Sequence, residues 1–499
     1  MHPRLPHRRP RPTQHRQAPR SHAGFRQVPH KAALALASAI APATLPAACG
    51  AALPHVTGAF PMRDRFSLRS PTSSQFSATD RHAMSLPVDT RSVRPATMLR
   101  LAALITVTAI LAPLMPGATP PGSTGAPAEI APLQRGLSAT TPGQAEFVRA
   151  PDTTLYFSPH LLPAGTEASD AAAQLSGILD DLGQRLRAVA SDERHLVRLT
   201  ITLVDESDHA AAADVLARRF PDHAPAVTWQ GSPLARPGAR VAVEAIAVSA
   251  QRLDLTTPTA DGGALLPAGS RIFLSGQAER GSDVASSVAL TMASLLRSAK
   301  ELGAAPAGVA QIRVFLQPFS SRDDALAQIV PLFPAGKCPP VIVTEWTLPL
   351  PVEIEMIVAR DRGAAKLEAP LTFPVLAGKP RSPRFSHAAI VDAGVPLLFL
   401  SDVEAGPNVS PTEEWPTIFA RLGPTLGRAG SSFRLLVKAT YLLEDGSPRN
   451  SLNDTRAVYY DPLRPPAASA VGVRSVGIPD RAASLDMIAV PRDAAPLTP

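Results

Sequence analysis

Ile272-Phe273-Leu274-Ser275 is a short apolar run that ends in a serine, and it decides the fold because the chain contains this pattern three times. The other copies are Leu155-Tyr156-Phe157-Ser158 and Leu398-Phe399-Leu400-Ser401, and successive serines are 117 and 126 residues apart. A run of this length and composition predicts a buried strand. Solenoid repeats are roughly 20–50 residues long, so the longer spacing indicates three small domains in one chain.

Two further patterns recur in the same order. One is an apolar strand that carries a single basic residue, at Val197-Arg198-Leu199-Thr200, Ile312-Arg313-Val314-Phe315 and Val437-Lys438-Ala439-Thr440. The other is a closing strand that carries a single acid, at Val243-Glu244-Ala245-Ile246, Ile354-Glu355-Met356-Ile357 and Leu485-Asp486-Met487-Ile488. Three ordered patterns in each copy make a chance repetition a poor explanation.

Apolar residues at helical spacing predict two helices between the strands of each copy. In the first copy, the stripe of the first helix consists of Leu175, Ile178, Leu179, Leu182, Leu186 and Val189. Asp170 and Asp208 are expected to cap the two helices, because an Asp side chain accepts hydrogen bonds from the free N–H groups at a helix start. In the third copy, Pro424 lies inside the expected first helix and predicts a kink or a break there.

The element order, β-β-α-β-α-β-β in each copy, predicts an α+β fold. An antiparallel or mixed sheet with two helices on one face is the natural arrangement of such elements. The other face must also be buried, because the fourth strand is apolar on both faces in places. We therefore expect three tandem domains, over 146–252, 265–362 and 382–492, that pack into an intramolecular pseudo-trimer and leave the protein monomeric.

The residues before these domains are predicted to lie outside the fold. Residues 1–97 are rich in Arg and Pro, which indicates a disordered leader or an over-extended gene start. Residues 98–118 combine a basic start, an apolar stretch and small residues, which is typical of a signal peptide or a short anchor, and residues 119–145 are expected to form a linker. No stable membrane span is expected beyond that N-terminal segment. If the signal at Met98 is genuine, the protein is exported to the periplasm or the extracellular space; otherwise it is cytoplasmic.

The net charge of +7 comes from the N-terminal stretch alone. Residues 1–100 contain 15 Lys and Arg and 3 Asp and Glu, whereas the other 399 residues contain 34 and 39. The domains are thus mildly acidic, which argues against binding to the phosphates of nucleic acids. The sequence contains neither a metal-ligand cluster nor a phosphate-binding glycine loop, so we expect no metal and no cofactor.

The second copy resembles the Rid family, the reactive intermediate deaminases, also called YjgF-type or L-PSP proteins. The matching stretches are Phe273-Leu274-Ser275-Gly276-Gln277, the predicted helix over 284–303 and the strand over 352–357. The first copy matches over 171–190 and 241–247, and the third over 437–440 and 466–471. The resemblance implies a chorismate-mutase-like fold that assembles as a trimer, with ligand sites in the clefts between neighbouring subunits.

The resemblance also implies where catalytic residues would lie. In the family, an acid of the closing strand positions the hydrolytic water, and the matching residues here are Glu355, Glu244 and Asp486. A Ser-Gly pair brings its backbone close to the ligand, and it matches Ser275-Gly276. Only the serine of that pair is kept in the other copies, as Ser158 and Ser401.

The sequence departs from the family at the arginine that clamps the carboxylate of an imino or enamino acid. The matching positions are Val227, Val341 and Ala468, and none of these side chains can form the two parallel hydrogen bonds of a guanidinium. Arg464 is a candidate replacement for the clamp. The apolar residues favour a neutral or less polar ligand.

Three functions remain open from the sequence. The first is binding of a small metabolite in clefts between the copies, with deaminase activity lost or altered. The second is an active deaminase, hence a hydrolase, of 2-imino or enamino acids in one surviving cleft around Ser275, Gly276 and Glu355. The third is a structural or interaction protein without catalysis, so the sequence leaves open whether the protein is an enzyme.

Overall fold

The computed structural model describes residues 129–165, 170–444, 447 and 449–494 of the chain. The predicted leader and the signal peptide at Met98 lie outside the described residues. Within the described part of the chain, no helix is both long enough and apolar enough to cross a bilayer.

The first described elements are two strands followed by a segment of six elements over 155–248, which we call segment 1. They are β1 (Gln134–Leu137), β2 (Ala145–Ala150), β3 (Leu155–Phe157), α1 (Ala171–Ala188), β4 (Leu196–Leu203), α2 (His209–Arg219), β5 (Ala226–Gly231) and β6 (Val241–Val248). The strand β1 and most of its turn to β2 occupy the range 119–145, where the sequence predicts a linker.

The next eight elements have the same order, with segment 2 covering 271–359. They are β7 (Thr257–Pro258), β8 (Ala264–Leu266), β9 (Arg271–Gln277), α3 (Val284–Glu301), β10 (Val309–Leu316), α4 (Arg322–Ile329), β11 (Val341–Glu345) and β12 (Val352–Ala359). Segment 3 covers 397–489 and follows another pair of strands. The pair consists of β13 (Leu371–Thr372) and β14 (Ala388–Val391). The elements of segment 3 are β15 (Leu397–Glu404), α5 (Pro411–Arg428), β16 (Leu436–Glu444), α6 (Arg449–Tyr459), β17 (Ala467–Val473) and β18 (Ala483–Ala489).

Each segment folds into a mixed sheet. In segment 1 the strand order is β5-β4-β6-β3, with β4 and β5 parallel and the other pairs antiparallel. Segments 2 and 3 have the corresponding orders β11-β10-β12-β9 and β17-β16-β18-β15. The α+β class and the mixed sheet are therefore as the element order predicts.

The strand that precedes each segment pairs mainly with a different segment, although β2 also forms one parallel pair with β5 of segment 1, between Ala145 and Ala226. Strand β8 pairs with β3 of segment 1, β14 pairs with β9 of segment 2, and β2 pairs with β15 of segment 3, each antiparallel. Every segment thus receives a strand from another part of the chain. The periodicity of the sequence predicts these strands but not their partners.

The first helices bury the predicted apolar stripes. In α1, the buried side chains include Leu175, Ile178, Leu179, Leu182 and Leu186. A separate apolar cluster forms between the segments, where Phe315 and Trp346 of segment 2 contact Leu442, Val471, Val473 and Val476 of segment 3 or its closing loop. Both faces of the sheets are therefore used in packing.

The predictions about helix ends and interiors hold in part: Asp170 caps its helix, Asp208 lies at the N-cap position without capping, and no break occurs at Pro424. Asp170 caps α1 as expected, because its side chain accepts a hydrogen bond from the N–H of Ala173. Asp208 makes no such bond at α2 and binds Arg240 instead. The helix α5 continues through Pro424. A proline removes only its own donor, and the buried apolar face of α5 outweighs that loss.

The carboxylate of Asp152 links the turns that precede the three segments. Asp152, between β2 and β3, accepts hydrogen bonds from the N–H of Gly269 at 3.0 Å and of Gly394 at 2.6 Å. It also pairs with Arg271 at 3.1 Å, and the exposed fraction of the Arg271 side chain is 1%. The Nε and Nη1 atoms of Arg271 are buried without a hydrogen-bond partner. Among the described residues, Asp152 is the acid that balances the charge of Arg271.

Candidate functional site

The predicted acids of the closing strands each pair with the basic residue on a central strand of another segment. The pairs are Glu244 with Arg313 at 3.0 Å, Glu355 with Lys438 at 2.6 Å, and Asp486 with Arg198 at 3.0 Å. Each acid binds the base of the next segment: the acid of segment 1 binds segment 2, that of segment 2 binds segment 3, and that of segment 3 binds segment 1. We call these six residues the central junction.

All but Arg313 of these six residues are buried, with side-chain exposures of 5–8%, and the Arg313 side chain is 12% exposed. Burial raises the pKa of Glu244, and the neighbouring Arg313 offsets this rise only partly. Burial also acts to raise the pKa of Glu355, but the charges of Lys438 and Arg313 outweigh it, so that this pKa is lowered. Three cations face three carboxyl groups, which is the arrangement that makes buried charge tolerable.

The cleft between segments 2 and 3 contains Ser275 and Gly276, and its polar groups already bind one another. The Ser275 hydroxyl accepts a hydrogen bond from the N–H of Ala468 at 2.8 Å. The N–H of Gly276 donates to the Ser469 hydroxyl at 3.1 Å, and Ser469 donates to Glu355. The backbone group expected to approach a ligand is therefore bonded to a side chain of the protein.

A second acid of β12 lies at the same cleft. Glu353 packs against Gly276 so closely that a Cβ atom on that residue would be 1.9 Å from its Oε1 atom. Burial and the neighbouring Glu355 raise the pKa of Glu353 to about 7. The pKa of Glu353 is thus raised, whereas that of Glu355, two residues further along the same strand, is lowered. The difference arises because Lys438 contacts Glu355.

The contact between segments 3 and 1 brings together Ser401 and Val227, two of the residues that the sequence analysis names. The Ser401 hydroxyl accepts a hydrogen bond from the N–H of Val227 at 2.7 Å. Asp402 directly follows Ser401, and its carboxyl group accepts from the N–H of Trp229 at 3.2 Å. Burial raises the pKa of Asp402 to about 8, so this side chain is largely protonated at neutral pH.

A cavity of about 390 Å³ opens beside Ser401 and Asp402, between β15, α5 and the turn that joins β1 to β2. Gln144 lines this cavity with an exposed fraction of 7%, and its Nε2 donor is buried without a partner. Two arginines also line the cavity, but both are paired: Arg421 with Glu404 at 3.2 Å and Arg428 with Glu146 at 2.7 Å.

The cleft between segments 1 and 2 has a different geometry. The Ser158 hydroxyl accepts from the N–H of Ala245 at 2.8 Å and donates to the carbonyl of Pro159, so its bonds stay within segment 1. Val341 is half-buried in β11. His160 follows Pro159 with its Nε2 atom buried and unpaired, and burial lowers its pKa to about 4. This histidine is therefore neutral at physiological pH.

Sequence reasoning missed three side chains at these clefts, namely Gln144, Glu353 and Asp402. Glu353 had a signal, since it lies two residues before Glu355 on a strand and therefore on the same face. Arg464 does not replace the missing clamp, because its guanidinium binds the carbonyl of Leu371 at 3.4 Å and lies over the Phe373 ring.

No family model matches the chain. Protein DfrA of Myxococcus xanthus is 41% identical over 81 residues, which is 16% of this chain and 61% of that protein. The chain therefore matches less than two thirds of that curated relative.

Parts of the chain are similar to solved structures. A member of the YjgF protein family from Neisseria meningitidis is 27% identical, with 23% of this chain and 94% of that chain covered and a TM-score of 0.19. A protein of the conserved Rid family from Yersinia pestis is 21% identical, with 22% and 90% covered and a TM-score of 0.20. The similarity to YjgF and Rid proteins extends in each case over less than a quarter of this chain.

Proposed function

We propose that the chain is a small-molecule-binding protein made of three fused Rid-like domains, with its ligand between segment 3 and the turn from β1 to β2 that precedes segment 1. The observation that carries this proposal is the cavity of about 390 Å³ beside Ser401 and Asp402. Pockets for small ligands are mostly about 300–1,000 Å³ and combine apolar walls with a few polar groups. By contrast, the N–H of Gly276 in the cleft between segments 2 and 3 is bonded to Ser469.

The three segments form an intramolecular pseudo-trimer in this proposal. Its support is the common element order, together with the cyclic pairing of acids and bases in the central junction. A single chain then replaces three subunits, and each contact between segments can diverge separately. Such divergence allows one cleft to keep a ligand while the other two serve the architecture.

The chemistry of the cavity favours a neutral ligand that accepts hydrogen bonds, such as an amide or another carbonyl compound. Gln144 offers an unused Nε2 donor, and protonated Asp402 offers an O–H. The arginines attract an anion only weakly, because each is paired with an acid and is about half exposed to solvent, which screens its charge. A buried donor that gains a partner recovers roughly 1–3 kcal/mol of desolvation.

The test is a thermal-shift and calorimetric screen of the protein against small amides, carbonyl compounds and carboxylates. A ligand that binds only the folded state raises the apparent stability. We expect hits among the neutral compounds and loss of binding in Ala420→Phe, which fills the cavity from α5. Ala173→Phe, on the exposed side of α1, is the matched control and should bind normally. Equal loss in both variants, or hits among the carboxylates alone, would contradict the proposal.

A second candidate is an altered deaminase between segments 2 and 3. The observation that favours it is the acid pair of Glu353 and Glu355, because two carboxyl groups with separated pKa values suit general acid and base roles. Purified protein would then release ammonia from 2-imino acids faster than buffer does, and Glu355→Gln would abolish that rate. No rate above buffer rules this candidate out. Failure of both tests would leave a structural or interaction protein.

A further inference from the structure

The central junction encloses a second, much smaller cavity that is separate from the proposed ligand site. Its volume is about 30 Å³. Besides the six charged residues of the central junction, its walls consist of Ile246, Ile357, Ile488, Thr200, Thr440 and Gln311. Every segment therefore contributes to the wall.

The size of this cavity restricts its occupant. A cavity needs about 10–15 Å³ to hold one water molecule, so a space of about 30 Å³ admits water and is far too small for any metabolite. The charge of the wall restricts it further. Arg198, Arg313 and Lys438 balance the three acids, and an added ion of either sign would be an uncompensated charge in a buried site.

The wall also contains polar atoms that need a partner. The Nε atoms of Arg198 and Arg313 are buried and make no hydrogen bond, whereas both oxygens of Asp486 contact Arg198. Buried polar atoms of native proteins are rarely left without a partner. One water can accept from two such donors, since a buried water typically makes about three hydrogen bonds.

We propose that the cavity of the central junction is a binding site for one water molecule that links segments 1, 2 and 3. The water accepts from the guanidinium N–H groups and donates to a carboxylate of the junction. A neutral molecule with both donors and acceptors is the only chemical class that meets the size, the charge and the hydrogen-bond needs together.

The first test is a crystal structure of the full chain at a resolution that shows ordered water, with and without a sodium bromide soak. We expect a single peak in the cavity within hydrogen-bond distance of the guanidinium groups, with no anomalous signal after the soak. An empty cavity in the electron density, or an anomalous bromide peak there, would overturn the proposal.

The second test counts long-lived waters in solution by oxygen-17 magnetic relaxation dispersion. Ile357→Met lengthens a side chain that lines the cavity and should remove one long-lived water. Ile354→Met is the same change on the opposite face of β12, in the core of segment 2, and should remove none. An equal count in the two variants contradicts the proposal. If Ile357→Met does not fold, the electron density of the unaltered chain decides.

Discussion

Replacing Asp152 with Ala is expected to lower the free energy of unfolding by about 3–5 kcal/mol, the usual result of breaking a buried ion pair by removing one partner. The structure supplies the reason. The Arg271 side chain is 1% exposed, and Asp152 is its counter-charge at 3.1 Å. After the replacement, Arg271 keeps only its bond to the Thr153 carbonyl.

The opposite replacement should cost much less. Arg271→Met keeps the apolar stem and removes the charge, while Asp152 keeps the N–H groups of Gly269 and Gly394 and an exposed fraction of 11%. Exchanging buried ion pairs for apolar groups is often neutral or stabilising. The double variant, Asp152→Ala with Arg271→Met, should therefore be more stable than Asp152→Ala alone.

The assay is urea unfolding followed by tryptophan fluorescence and by circular dichroism, on the parent and the three variants. The decisive result is whether the free energy of unfolding rises or falls from Asp152→Ala to the double variant. If adding Arg271→Met lowers the stability further, the buried guanidinium is not what makes the loss of Asp152 costly. The reasoning would then be refuted.

The pKa of Asp402 is raised to about 8, so the folded state keeps the proton of this carboxyl group to a higher pH than the unfolded chain does. The free energy of unfolding should therefore fall as the pH rises from about 4 to above 8. Urea titrations should show a smaller fall in the variant Asp402→Asn. Lys438→Met removes the cation beside buried Glu355, so we expect a loss of about 3–5 kcal/mol in the same assay, with recovery when Glu355→Gln is added. Gly276→Ala would place a methyl group against Glu353, and calorimetry should show a lower melting temperature that the added change Glu353→Ala restores.

The central junction could be predicted in part from the sequence. The single base and the single acid of each copy stand out because each interrupts an apolar strand, and the alternation of a strand fixes the face on which each lies. Their pairing could not be read from the sequence, because it depends on how the segments pack. Glu355, for example, lies opposite Arg313 in the ladder but contacts Lys438 of another segment.

The candidate ligand site was harder to predict. The sequence identifies Ser401 and Val227 through their resemblance to the family, and the structure brings them within hydrogen-bond distance. Gln144 lies in a stretch that reads as a linker, and it reaches the cavity only because β2 pairs with β15. Asp402 has an ordinary sequence context, and its pKa is raised mainly by burial, which only the fold reveals.

The exchanged strands bear on how the molecule is made. Strand β2 leaves the ribosome early, yet its partner β15 follows about 250 residues later. At usual synthesis rates of 5–20 residues per second, β2 waits roughly 10–50 s for that partner. Segments 1 and 2 receive their extra strands from the very next stretch of chain and can be completed in turn. One edge of β2 can pair early with β1 and β5, whereas the edge that faces β15 is paired only when segment 3 has been made.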